Sequence, residues 1–184
     1  MNSGPRVVAL VGSPRRTGNT VFAVGVATQE LERRGVSSET ILICDLPISL
    51  NASEAGQQTR TSAEEQLEAV LDRVWAADGV ILATPIHFSN VSAQMKAFMD
   101  ATNDRYMTER WLTPQTVGLM VIGAHVFTST VDAMRRYVDL IAPSHPPVFL
   151  ATGHADAVGE AQQSEEVRKS ALIMAGSMAD VLLG

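Results

Sequence analysis

Five short apolar runs, at residues 6–11, 39–43, 79–83, 117–122 and 147–151, are each followed by a longer amphipathic stretch, and this alternation leaves the chain few folds. Runs such as RVVALV and GVILA lack the alternation of a half-exposed strand, so they read as strands covered on both faces. The stretches 20–34, 62–76, 91–103, 130–141 and 160–183 carry helical periodicity; Leu67, Val70, Leu71 and Val74 share one side of the second. Arg33, Arg34 and then Gly35 close the first helix, and Ser62 with Glu65 makes a capping-box pattern at the start of the second. Strand–helix pairs in series make a parallel sheet with right-handed crossovers. Five pairs fall short of the roughly eight that a barrel needs. The expected fold class is therefore α/β: an open doubly wound sheet, order 2-1-3-4-5, with helices on both faces. In such sheets ligands bind beyond the carboxyl ends of the strands, at the switch point between the first and third. That singles out the loops after Val11, Ala83 and Ile122.

At 184 residues and 46% hydrophobic, the chain suits one domain spanning residues 1–184. The formal net charge is −6 and no block of Lys or Arg exceeds two, which argues against nucleic acid as a partner. The single cysteine, Cys44, reads as a buried, inert thiol, and the four histidines have no metal-ligand spacing, so no metal site is expected. No apolar stretch approaches the ~18 residues of a membrane span, and the N-terminal run is too short for a secretory leader. A cytoplasmic protein is expected.

The loop after Val11 reads Gly12-Ser13-Pro14-Arg15-Arg16-Thr17-Gly18-Asn19-Thr20 and opens directly onto a helix. Amides at a helix N-terminus and the aligned peptide dipoles favour an anion there, with the Ser13, Thr17 and Thr20 hydroxyls and the Asn19 amide as further donors. Hydrogen bonds to a charged group contribute about 1.5 to 3 kcal/mol each, so three well-aimed donors suffice for a phosphate ester. Residues 1–34 carry a net charge of +3 in a chain whose remainder carries −9. Gly12 and Gly18 are six apart and Asn19 stands where a Walker lysine would be, so this is neither a Walker A nor a G-x-G-x-x-G loop. From the residues alone, a phosphate nest and an ordinary strand-to-helix turn capped by Ser and Thr both remain open. No G-x-S-x-G elbow supports a nucleophilic hydrolase.

The third strand runs into TPIHFSNVSAQMKAFMD, residues 84–100. Together with GSPRRTGNT, residues 12–20, this segment resembles the NAD(P)H-dependent FMN reductase family of flavodoxin-like proteins. Members show GSPR-x-x-GNT after the first strand and [TS]P-[IV]-Y-x-G-x-x-[ST]-[AG]-x-[LM]-K-x-F-x-D after the third, and the order and spacing match over essentially the whole chain. The resemblance implies a flavodoxin-like three-layer sandwich and FMN as cofactor, with NADPH or NADH as reductant. It places the FMN phosphate on Ser13, Arg15, Thr17, Gly18, Asn19 and Thr20. It places the isoalloxazine edge against Pro85, Ile86, His87, Phe88 and the backbone through Ser89 and Asn90, with Gly123, Ala124 and His125 following the fourth strand. The implied activity is hydride transfer from NAD(P)H via bound FMN to a quinone, flavin, azo or other small organic acceptor. The chain departs from the family pattern at His87, commonly tyrosine, and Ser89, commonly glycine. After the fourth strand, relatives often show a glycine pair where this chain has Gly123-Ala124-His125-Val126-Phe127, so Val126 and Phe127 are expected to narrow the ring site. Phe88 has a second reading, core packing beneath its loop.

His87 and His125 project from strand ends toward one cleft and are the candidate proton donors or electrostatic partners of the reaction; a solvated loop histidine is the plainer reading of each. His145 and His154 are assigned no role beyond capping or rim contacts. Some relatives carry a cluster-binding cysteine run after the second strand, but the equivalent segment here, residues 45–51, has none. Val91, Met95, Phe98, Met99 and Thr102 share a stripe, as do Val131, Met134, Val138 and Ile141. Core burial explains most of this; the resemblance adds that these helices commonly form a two-fold dimer, so a homodimer or dimer of dimers is expected. Two other functions fit the same sequence: a flavodoxin-type electron carrier, and a flavodoxin-like protein with altered or lost flavin use.

Overall fold

The computed structural model describes residues 4–48, 62–125 and 127–184. Strands β1 (Arg6–Val11), β2 (Ser37–Leu42), β3 (Gly79–His87), a short β4 (Asn90–Val91), β5 (Thr116–Gly123) and β6 (Val148–His154) alternate with helices. These are α1 (Asn19–Arg33), α2 (Ser62–Trp75), α3 (Ala93–Ala101), α4 (Asn103–Met107), α5 (Phe127–Ile141) and α6 (Glu165–Leu183). The parallel strands run β2-β1-β3-β5-β6, which is the expected order 2-1-3-4-5 once the two-residue β4 is set aside. The fold is a flavodoxin-like α/β sandwich.

Side-chain parity along the strands builds the layers. Val7, Ala9 and Val11 of β1 join Ile81, Ala83, Met120 and Ile122 on the face covered by α1 and α6. Val8 and Leu10 join Val80, Leu82, Val117, Leu119 and Val121 on the face covered by α2, α3 and α5. Burial on both faces is what made these runs continuously apolar. Gly35, at φ 92, takes the left-handed position that ends α1.

Several boundaries differ from expectation, among them α5, which opens at Phe127 rather than 130, and β6, which runs to His154 rather than 151. The third strand does not stop at Ala83; it continues to His87 and folds back through β4, pairing Ile86 with Val91 and His87 with Asn90. Pro85 reads as a strand breaker in sequence. Opposite Ala83, however, β1 has already reached its last residue, so Pro85 stands where β3 has only β5 beside it, the edge setting in which proline is tolerated. The stretch 91–103 is not one helix, because Ser92 caps α3 by accepting from the Met95 N–H, and the chain breaks at Thr102 before α4. The last helix starts at Glu165 under a Ser164 cap, residues 160–163 forming a separate 3-10 turn. Ser62 is the first residue of α2, where the sequence places the start of that helix. Residues 49–61, which read in sequence as the rest of a polar loop from Asp45 to about Thr61, and Val126, expected to narrow the ring site, lie outside the described residues. Among the described residues no helix is long and apolar enough to cross a membrane.

Candidate functional site

The carboxyl ends of β1, β3, β5 and β6 open into one cleft of about 500 Å³. Its first wall is the loop after β1. The Gly12 N–H donates to the Ala83 carbonyl at 2.7 Å, prolonging the ladder by one residue. A β-carbon on Gly12 would fall 2.8 Å from Met95 Cβ and 3.0 Å from Ser92 Oγ, so only glycine fits. Ser13 is buried and its Oγ accepts from the Arg15 N–H at 3.1 Å, which fixes the turn. Gly18 precedes α1 with no side chain capping the helix. The first-turn amides therefore keep their hydrogen-bonding capacity toward the cleft-lining residues Gly18, Asn19 and Thr20.

The two arginines of this loop divide. Arg16 pairs with Asp45 at 2.7 Å, whereas Arg15 lines the cleft with no ion pair among the described residues. Cys44, next to Asp45, is half-buried rather than buried; burial first, and then the Asp45 carboxylate, push its thiol pKa up, so the neutral thiol persists. Thr17 is exposed and is not part of the cleft lining.

The second wall is the β3–β4 hairpin, with Pro85, Ile86, His87, Phe88 and Ser89. Phe88 and Ser89 are its two turn residues, at φ 50 and 58, the left-handed pair that a two-residue type I′ turn requires. A side chain in that region costs about 1 to 2 kcal/mol relative to glycine. The Phe88 ring is wholly exposed, which rules out core packing beneath the loop. Asn90 is in β4 and faces a different groove. The hairpin is held from two sides. Ser129 Oγ donates to the Ser89 carbonyl. On the other side the Thr84 Oγ1 accepts from the Ser92 N–H at 3.0 Å while the Ser92 Oγ donates to the Gly12 carbonyl. Thr84 and Ser92, both fully buried, thus lock the second loop to the first.

The third wall is Ile122, Gly123, Ala124 and His125. A β-carbon on Gly123 would meet Ile86 Cβ and Cγ1 at 2.9 Å, so the remaining glycine of the expected pair marks a real close approach. Phe127 does not narrow this site. It opens α5, outside the cleft lining, and stacks edge-on against His154 with ring centroids 4.9 Å apart. His154 also lies 3.3 Å from a Glu166 carboxylate oxygen, and His145 sits in the loop before β6, so both stay away from the cleft lining.

A fourth wall, Ala155 and Asp156, was not foreseen. The rule that strand ends carry sites applies to the last strand as much as to the three whose loops are singled out in sequence. Asn19 secures this wall. Its Nδ2 donates to the Ala157 carbonyl at 2.9 Å, and its Oδ1 accepts from the Gly159 and Ala161 N–H groups at 3.1 and 3.2 Å. The Asn19 amide, expected to serve an anion, is spent on this tie. Glu160 reinforces it by accepting from the Asp156 and Ala157 N–H groups at 2.7 and 2.9 Å. Asp156 has no ion pair among the described residues, so the cleft holds one unpaired cation, Arg15, and one unpaired carboxylate. Pro14 and Ile122 complete the lining beyond what the sequence indicated.

A second groove, about 640 Å³, lies between α3, α4 and α5 and includes Met99, Tyr106, Tyr137 and Leu140. It is larger but lies on a helical face, away from the strand ends where open α/β sheets bind ligands. Burial pushes the Tyr137 phenol pKa up, and its hydroxyl meets Thr102 Oγ1 at 3.0 Å. Among the described residues no group of three His, Cys, Asp or Glu is placed to hold a metal ion.

Comparison with known proteins gives consistent results. A family model described as NADPH-dependent FMN reductase matches residues 5–155. An iron-sulfur flavoprotein of Methanocaldococcus jannaschii is 30% identical over 97 residues, 52% of this chain and 50% of that protein. An NAD(P)H dehydrogenase (quinone) of Syntrophobacter fumaroxidans is 31% identical over 101 residues, 53% and 46% of the two chains. The matches span about half the length of these curated relatives. The crystal structure of RosB with bound 8-demethyl-8-formylriboflavin-5'-phosphate superposes with a TM-score of 0.77 at 13% identity, covering 98% of this chain and 79% of that one. The 184 residues here contain one cysteine, too few thiolates for this chain to ligate an iron-sulfur cluster by itself.

Proposed function

The chain belongs to the NADPH-dependent FMN reductase family, and on that premise we propose that it is an FMN-dependent NAD(P)H oxidoreductase reducing a quinone, flavin, azo or other small organic acceptor. The observation that carries this reading is the meeting, in one cleft, of an uncapped helix N-terminus, an arginine with no ion pair among the described residues, and the apolar Pro85–Ile86 wall of the hairpin. FMN fits that donor set: an anion at one end, a flat wall at the other, and glycines at 12 and 123 where backbone must come close.

In this reading Ser13, Arg15, Gly18 and Thr20, with the first-turn amides of α1, hold the phosphate. Thr17 and Asn19 contribute through backbone and loop position, the Asn19 side chain being engaged elsewhere. Pro85 and Ile86 wall the ring, and the backbone from His87 to Ser89, with Gly123 and Ala124, borders its polar edge. When bound, FMN supplies a hydride acceptor for NAD(P)H and a hydride donor for the second substrate. His87 and His125, both exposed at the cleft mouth, hold the proton that a reduced acceptor takes up. Anaerobic mixing of FMN-loaded protein with NADPH is expected to bleach the yellow absorbance; persistent colour with both NADPH and NADH refutes the proposal. Arg15→Ala is expected to weaken FMN binding about tenfold or more, one charge-assisted contact being worth about 1.5 to 3 kcal/mol, with little change in thermal midpoint. Fluorescence titration of FMN checks this, and unchanged affinity removes Arg15 from the phosphate site.

The reading includes a homodimer, or a dimer of such dimers, joined through α3 and α5. What supports it is the groove between those helices, bordered by the exposed Leu140 and Tyr106. Sedimentation at micromolar concentration is expected to give a species of at least two chains; monomer alone refutes this part. The chain is further read as one domain acting in the cytoplasm, with no nucleic-acid partner.

A further inference from the structure

We infer that Phe88 is the residue that selects the electron acceptor, its ring forming a stacking face for planar aromatic or quinonoid molecules at the cleft mouth. The inference rests on the oxidoreductase reading and moves Phe88 from the cofactor's wall to the second substrate's.

Three observations meet at this side chain. Phe88 occupies the first position of a turn whose φ of 50 favours glycine or asparagine, so the backbone gains nothing from phenylalanine there. The ring is wholly exposed, so the core gains nothing either. A lone exposed aromatic is ordinary on a protein surface, but this one belongs to the lining of the strand-end cleft, beside Ile86 and His87 and across from Gly123 and His125. The hairpin that carries it is fixed rather than loose: His87 pairs with Asn90, Ser129 Oγ holds the Ser89 carbonyl, and the Asn90 carboxamide oxygen accepts from the Val91 N–H at 2.8 Å. A strained, solvent-facing ring on a rigid mount beside a cleft is preorganised for a flat ligand. His87 and His125 line the same cleft, so a quinone drawn in by the ring enters a site that also holds proton donors for its carbonyl oxygens. The overall reaction balances: NAD(P)H gives up a hydride, the quinone takes up that hydride and one proton, and hydroquinone and NAD(P)+ leave.

The test uses FMN-loaded protein with NADPH and two acceptors: menadione, which is planar, and ferricyanide, which is octahedral and cannot stack. Phe88→Gly and Phe88→Leu are each expected to lower the ratio of kcat/KM for menadione to that for ferricyanide about three- to tenfold, chiefly through KM. Phe88→Gly is also expected to raise the thermal midpoint, since it relieves the turn, an effect opposite to that of removing a packed side chain. An unchanged ratio in both variants overturns the inference. So does a fall in FMN affinity as large as the fall in the ratio, which returns the ring to the cofactor, or a change of oligomeric state with the ratio intact, which makes it an interface residue. If wild-type protein fails to bind FMN or to bleach with either nicotinamide, the underlying oxidoreductase reading falls and this inference with it; failure confined to the acceptor ratio overturns the inference alone.

Discussion

Ser92→Ala lowers the thermal midpoint by about 5 to 15 °C and weakens FMN binding in the protein that remains folded. The hydroxyl is fully buried; it donates to the Gly12 carbonyl and accepts from the Met95 N–H at 3.1 Å. Alanine removes the α3 cap, worth about 0.5 to 2 kcal/mol, and leaves a buried carbonyl without a donor, worth about 1 to 3 kcal/mol. For a chain of this size each kcal/mol moves the midpoint by about 2 to 4 °C. The damage is also positional, because this one oxygen joins the loop after β1 to the segment after the hairpin. Ser129→Ala is the contrast: its bond to the Ser89 carbonyl is exposed, and its loss is expected to cost under about 0.5 kcal/mol. Thermal melts of the two variants side by side decide the matter, and equal midpoints would show that the buried link carries no special weight.

Gly123→Ala is expected to weaken FMN binding about tenfold or more and to destabilise the fold by about 1 to 3 kcal/mol, the usual range for overpacking. The new methyl would sit 2.9 Å from both Cβ and Cγ1 of Ile86. These atoms lie close to the backbone of β3 and cannot swing away as a side-chain tip does, so the strand end itself shifts, and with it the wall proposed for the ring. Gly25→Ala, inside α1 with open space around it, is expected to stabilise the protein by up to about 1 kcal/mol, which shows that alanine as such is not the cause. FMN titration and melting of both variants test this. Wild-type affinity in Gly123→Ala would mean that Ile86 does not border the ligand.

The sheet was legible because each parallel strand but the edge pair is covered on both faces, so the stretches in their middle are continuously apolar. Val7 to Val11 and Val80 to Ala83 announce themselves by the absence of any polar residue. The first loop was legible by its glycines and hydroxyls, but what those groups bond to was not. Asn19 looks like an anion donor in sequence; its partners at Ala157, Gly159 and Ala161 lie some 140 positions away, and no local pattern records such a contact. Ser92 was passed over for the same reason, its partner Gly12 being 80 residues distant. Pro85 misled in the opposite direction: its local preference against strand gave way to a tertiary setting in which β3 has one neighbour fewer.

The Asn19 tie bears on biosynthesis. Translation delivers the amino end first, at about 5 to 20 residues per second. For the seconds before residues 157–161 leave the ribosome, the asparagine at the start of α1 lacks the three backbone partners of its amide, with water in their place, and the cleft lacks its fourth side. The four-sided cleft therefore forms only once residue 161 is free to fold back on α1. A nascent chain arrested before that point carries most of the sheet, yet its cleft has only three of its four sides.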